Sequence, residues 1–359
     1  MSSIPPISAS LSRRSFLAGA LAFGGAATAG STLLAACGSS KSSSSSKGGS
    51  SAGGSGGTSL AVQLVWLKNV QFGGSWIAQK QGLYDKFGVK PTLLAGGPNT
   101  VVEPIVVSGK ALVGVSNPDS VASAVAKGAE LEIVAATYLK SPFMVMSLLD
   151  NQITSPQQML GKKIGVPAAS TQLWHSFLEA NKIDPTKLTT VPVQFDVTPL
   201  ANKQVDGYLG FITDEPIILQ ERGVKTHVMK FDDFNYHLFG DCYVIRRGAL
   251  DDSGDRKTIL GFLKAERMGW QKAVADPDLA AQLAVDLSGK DLKLGLRQQK
   301  LEAKAQAPLV QPPGTSAKGV LIMTDELVQQ NLDTLNLNPS VPAKKELFNT
   351  ALVKELSAT

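Results

Sequence analysis

The chain has 359 residues, 18% of them charged, with 35 Lys and Arg against 30 Asp and Glu for a formal charge of +5. Bases and acids are interspersed, and the body carries neither a zinc-ligand spacing nor a phosphate-cradling glycine loop, which argues against a nucleic-acid partner and against a metal centre. With only Cys37 and Cys242 present, the body must be held by its cores rather than by disulfides.

At the N-terminus, Arg13 and Arg14 stand directly before Phe16-Leu17 and an Ala/Gly-rich apolar stretch that runs to Ala36. That stretch is short for a hydrocarbon core of roughly 30 Å and reads as a cleavable export segment, not a structural helix. The paired arginines resemble a twin-arginine signal. Leu34-Ala35-Ala36-Cys37 resembles a lipobox, which implies cleavage before Cys37 and a lipid on its thiol. Residues 1–36 are therefore expected to be a signal peptide. Residues 37–58, almost entirely Ser, Gly and Lys, cannot bury enough apolar surface to fold and are expected to tether a body to the extracytoplasmic face of the cell membrane.

The body begins near Ser59, and its roughly 300 residues suffice for two compact lobes. Short apolar runs alternate with helical patterns: Leu60–Trp66 then Trp76–Lys86, Lys90–Leu94 then Val101–Ser108, Ala111–Val115 then Ser120–Ala126. This alternation predicts an open α/β sheet. Strands Leu131–Tyr138 and Met144–Leu149 continue it. A capped turn over 155–163 leads to strand Ile164–Val166, which opens a second unit holding helix Thr171–Asn181, strands Thr189–Phe195 and Tyr208–Phe211, and helix Glu215–Glu221. One further strand, Cys242–Arg246, leads back to a mainly helical remainder that includes Arg256–Ala275 and Leu279–Leu287.

Trp66-Leu67-Lys68-Asn69, Gln79-Lys80-Gln81-Gly82-Leu83-Tyr84, Gly88-Val89-Lys90-Pro91, Leu160-Gly161-Lys162-Lys163-Ile164-Gly165-Val166 and Gly269-Trp270-Gln271-Lys272-Ala273 with Asp276-Pro277 occur in this order along the body. Together they resemble the solute-binding proteins that serve ATP-driven (ABC) importers for thiamine-pyrimidine precursors, sulfonates and nitrate. The resemblance implies a two-lobe periplasmic binding protein of type II-like architecture. Residues 59–146 and 244–359 would form lobe 1 and residues 147–243 lobe 2, with a ligand cleft between them and crossing strands near Val145 and Tyr243. It implies a monomer that delivers a small solute to a membrane permease, with no cofactor, no metal and no catalytic residue.

Trp66 with Asn69, and Tyr208-Leu209-Gly210-Phe211-Ile212-Thr213-Asp214-Glu215-Pro216, look most like the thiamine-precursor branch. That likeness implies Trp66 and Phe211 as stacking faces, with Asn69 and Glu215 bonding ring or exocyclic nitrogens. Gln71-Phe72-Gly73-Gly74 departs from the pattern usual after the asparagine. Independently, ligands in open α/β sheets sit beyond the carboxyl ends of the strands. This adds Asn117 and Asp119 after one strand, Ser170, Thr171 and Trp174 after another, and Asp214 at the helix that Glu215 opens. The plainer roles weigh against each: Asp119, Thr171 and Asp214 suit helix capping, Glu215 suits the helix dipole, and Trp66 and Trp174 suit packing.

Two classes of function compete. One is capture of an aromatic or heterocyclic solute, foremost a thiamine-pyrimidine precursor, with sulfonate-, nitrate- or riboflavin-type binding as alternatives. The other is a pyrimidine-synthase-like enzyme on the same fold, for which the resemblance requires an iron-binding cysteine cluster that a single body cysteine does not supply. Export and tether favour capture.

Overall fold

A computed structural model describes residues 57–315 and 319–357. Cys37, Arg13 and Arg14 lie outside the described residues.

Two five-stranded sheets share one plan. The first sets β1 (Thr58–Gln63) parallel to β2 (Val89–Leu94) and β3 (Val113–Ser116). It continues through β10 (Gly240–Arg246), antiparallel to both β3 and β4 (Leu131–Tyr138), in the order β2-β1-β3-β10-β4. The second sets β6 (Lys163–Pro167) parallel to β7 (Thr189–Val193) and β8 (Gly207–Phe211). There β5 (Phe143–Leu148) runs antiparallel to β8 and to β9 (Thr226–Lys230), in the order β7-β6-β8-β5-β9. In each sheet the strand between the parallel group and the far edge arrives from the other lobe. Strands β4 and β5 are buried along their whole length, as apolar runs covered on both faces require.

Helices α1 (Gly73–Lys80), α2 (Leu83–Lys86), α3 (Glu103–Val107) and α4 (Pro118–Ala126) cover the first sheet; α5 (Thr171–Ala180), α6 (Thr198–Ala201) and α7 (Glu215–Glu221) cover the second. After β10 the chain is helical: α8 (Ser253–Ala275), α9 (Pro277–Leu292), α10 (Leu296–Val310), α11 (Asp325–Leu335) and α12 (Ala351–Ser357). Helix α8 lies against α1 where Gly269 meets Gly74; a Cβ on Gly269 would come within 2.1 Å of the Gly74 carbonyl oxygen. Among the described residues no helix is long and apolar enough to cross a membrane.

The sequence placed the lobe crossings within strands near Val145 and Tyr243, and the structure moves both. Phe143 already pairs with Phe211, so β5 belongs wholly to the second sheet, whereas Gly240 already pairs with Tyr138 in the first. The links are residues 139–142 and 231–239. Pro142 marks the first, because a missing N–H suits a connection better than a central strand. Strand β9 was not expected. Its Thr-His-Val-Met-Lys run is half-polar and sits on the sheet edge, leaving too weak a hydrophobic alternation to detect.

Candidate functional site

The strand ends of both sheets face one cavity of about 50 Å³, set within about 520 Å³ of empty space that includes open solvent. From the first sheet come Val65, Trp66 and Gln71 after β1, and Asn117 after β3. From the second come Phe143, Pro167, Ala169 and Ser170, then Leu209, Gly210 and Phe211 at the end of β8, and Asp214 and Glu215 where α7 begins. The lobes are shut around it. Trp66 meets Phe195 edge-on at 5.4 Å, the Ala169 amide donates to the Pro98 carbonyl at 2.9 Å, and the Ser123 hydroxyl reaches Gln172 Oε1 at 3.2 Å.

The aromatic wall is ordered by its neighbours, since Phe211 packs edge-on against Phe143 with centroids 4.5 Å apart. Glu215 folds back over β8, its Oε2 accepting the Phe211 amide at 2.7 Å. Gly210 makes this possible, because a Cβ there would come within 2.4 Å of the Glu215 carboxyl carbon.

The floor of the cavity is acidic. Asp214 is 7% exposed and its Oδ1 has no partner, while Glu302 of α10 faces it from the other lobe. Burial raises all three carboxyls: Asp214 up to about 6, Glu302 up to about 10 with Asp214 as the second cause, and Glu215 well above its ordinary range with Asp214 again second. Gln298 and Gln299 donate to the two Glu302 oxygens at 2.6 and 2.7 Å and favour its charged form, but burial and the neighbouring Asp214 outweigh them and raise it. Behind Gln71 stands Asp241. Its Oδ2 accepts from Gln71 Nε2 at 2.8 Å, its Oδ1 is unpartnered, and burial raises it to about 7. Asp241 also holds φ +49, a left-handed backbone uncommon for a non-glycine residue and frequent around binding sites. Among the described residues, none of these acids is in an ion pair.

Of the residues singled out in the sequence, Trp66, Asn117, Ser170, Phe211, Asp214 and Glu215 line this cavity. Four do not. Asn69 spends its Oδ1 on the Gln71 amide at 3.0 Å, capping a one-turn helix, and the residue that reaches the wall is Gln71. Trp174 is fully buried in the second lobe, its indole N–H on Thr190 Oγ1 at 3.0 Å and its ring beside Phe177; one turn into α5, it falls on the inward stripe. Thr171 turns its hydroxyl to the Ala168 carbonyl at 2.8 Å at the cleft rim. Asp119 is sealed inside the first lobe, where the Tyr236 hydroxyl and the first-turn amides of α4 approach it without reaching hydrogen-bond geometry. Asp119 and Thr171 stand inside their helices, whose N-cap positions are Asn117 and Ser170, and Asp214, at the N-cap of α7, makes no side-chain cap. Gln71, Phe143, Asp241 and Glu302 were missed. Gln71 follows β1 and was open to detection by the carboxyl-end rule, whereas Phe143 opens β5, an antiparallel strand whose amino end faces the cleft, and Glu302 comes beside Asp214 only through tertiary packing of α10.

Three comparisons bear on this arrangement. A 4-amino-5-hydroxymethyl-2-methylpyrimidine phosphate synthase of Legionella pneumophila is 24% identical over 61% of this chain and 71% of its own length. A riboflavin-binding protein, RibY, of Chloroflexus aurantiacus is 21% identical over 63% of this chain and 65% of its own. The solved structure of the alkanesulfonate-binding protein SsuA from Xanthomonas axonopodis, bound to MOPS, superposes with a TM-score of 0.60 at 14% identity, covering 82% of this chain and 99% of that one. The fold is thus the generic periplasmic binding protein fold. The sequence model described as NMT1/THI5 like matches residues 69–280, a span that takes in strands of both sheets and the cavity between them. With more than half of its length matched by that model, the chain belongs to the NMT1/THI5-like family.

Proposed function

We propose that the protein is the solute-binding component of an ATP-driven importer and that it captures an aromatic, amine-bearing heterocycle of the thiamine-pyrimidine-precursor type. One observation carries this reading: a cavity walled by Trp66, Phe143 and Phe211 whose acids, Asp214 and Glu215, have no basic partner among the described residues. A ring fits between aromatic walls, and an amino or amidine group supplies the donors that those carboxyls lack. A sulfonate or nitrate placed there would meet acids with no cation to offset them. Flavin-type binding is the second reading, supported by the Chloroflexus relative's name and by the ring-sized aromatic wall. An export signal, a lipid on Cys37 and a tether, as the sequence suggests them, suit capture outside the cell and favour a binding protein over a synthase.

Isothermal titration tests this. An aminopyrimidine should bind saturably, and Trp66→Ala should cost on the order of 1–3 kcal/mol, roughly ten- to a hundredfold in affinity. Glu215→Gln should weaken the amine-bearing ligand and leave an alkanesulfonate untouched. Saturable sulfonate binding indifferent to both substitutions would overturn the ligand assignment. For the anchor, Cys37→Ala should release the protein from the membrane fraction.

A further inference from the structure

The cavity does not end at its aromatic chamber. Val65, Asn117 and Ala169 also line a second hollow, walled by Thr100, Ser116, Ser120, Ser123, Gln172 and the buried Glu103. The two spaces therefore share a wall, with Asn117 at the junction. Its Oδ1 is buried and has no partner, although the residue stands where a helix cap would form and makes none.

The chemistry of the outer hollow differs from that of the inner one. Its walls are mainly hydroxyls and amides. Some are already spoken for: Ser116 bonds Glu103, and Ser123 bonds Gln172 across the cleft. The side chains of Thr100, Ser120 and Asn117 retain hydrogen-bonding capacity. The charges there are the Glu103 carboxyl and the exposed Lys127 at the rim, with no arginine, so the hollow offers an anion little and a neutral polar group several partners.

Resting on the ring-binding reading of the inner chamber, we infer that the ligand is bipartite: an aromatic ring held by Trp66 and Phe211 carries a neutral polyhydroxylated arm that passes Asn117 into the outer hollow. The orphaned Asn117 oxygen accepts the first hydroxyl of that arm, and Thr100 and Ser120 bond those beyond it. The arm also sets specificity, because a bare ring leaves the Asn117 acceptor buried and unsatisfied.

The test is isothermal titration of the soluble body with two matched pairs, cytosine against cytidine and lumichrome against riboflavin, together with the corresponding 5′-phosphates. In at least one pair the arm-bearing member should bind about tenfold tighter or better than its bare ring, and the phosphate should bring no further gain. That advantage should shrink in Ser120→Leu, which fills the outer hollow, and in Thr100→Val, which removes a hydroxyl at nearly constant volume. Bare rings binding as well as their arm-bearing partners would overturn the bipartite ligand and leave the ring reading standing. Binding that improves with the phosphate would overturn the neutral character of the arm. No binding of any ring would remove both readings together.

Discussion

Asp119, Asp214 and Asp241 each carry a carboxylate oxygen buried without a partner, and this sets the sign of a pH dependence. Burial raises all three from an ordinary value of 3.8, to about 7, about 6 and about 7 respectively. The folded chain therefore holds protons that the unfolded chain has released, and its stability is highest below the unfolded value and declines as pH climbs through the folded ones. Exposed Asp184 and half-buried Asp278, held low by the Thr186 hydroxyl and the Lys304 ammonium, act with the opposite sign but at lower pH. The melting midpoint of the ligand-free body should accordingly fall between about pH 4 and about pH 7, and Asp241→Asn should flatten the fall. A midpoint that rises through that window would contradict the burial argument. At this scale the sequence was informative only where a residue's position alone settles its surroundings. Trp66, Phe211 and Glu215 follow strand ends and were legible. Asn69 and Gln71 are two residues apart, and which of them turns to the cavity depends on a cap whose formation the sequence leaves open. Trp174 could be separated from the cleft only by knowing which stripe of α5 faces the sheet.

The crossing of α1 and α8 shows what a sequence phrase conceals at the level of elements. Gly269-Trp270 was among the phrases that carried the family resemblance, but its physical basis is a close approach of two backbones. Gly269 sits on the Gly74 carbonyl, and a Cβ on Gly74 would come within 2.4 Å of the Trp270 ring. Around the crossing, Glu266 accepts from Ser75 at 2.9 Å, Tyr243 at 2.6 Å and Tyr84, so helix separation would also disturb a buried polar cluster. Gly269→Ala should therefore destabilise by about 1–3 kcal/mol or more, measured by denaturant unfolding, while an exposed glycine such as Gly295, whose Cβ would meet nothing within 4 Å, should tolerate the change. Equal effects at the two sites would discount the contact. The central strands were legible as continuous apolar runs, and α7 was read to its exact ends. Edge strand β9 and the four-residue α6 were not, since short half-exposed segments leave no periodicity to read.

For the molecule as a whole, two links, residues 139–142 and 231–239, join the sheets, and such a pair permits hinge opening with few backbone angles changed. The hydrogen bonds that opening would break are countable, and the Ala169 amide on Pro98 is one of them. Ligand should slow hydrogen exchange at Ala169 while leaving β6 amides such as Gly165, already bonded within their own sheet, unchanged. Uniform protection of both would point to global stabilisation without hinge motion. The four tryptophans are divided by the same geometry. Trp76, Trp174 and Trp270 are sealed in cores, and Trp66 alone lines the cavity. Three indoles thus supply a steady emission background, and the fourth is placed to report occupancy. Solute capture should be visible as a change in intrinsic fluorescence without any label, and Trp66→Phe, which keeps an aromatic face, should silence that signal while much of the binding persists.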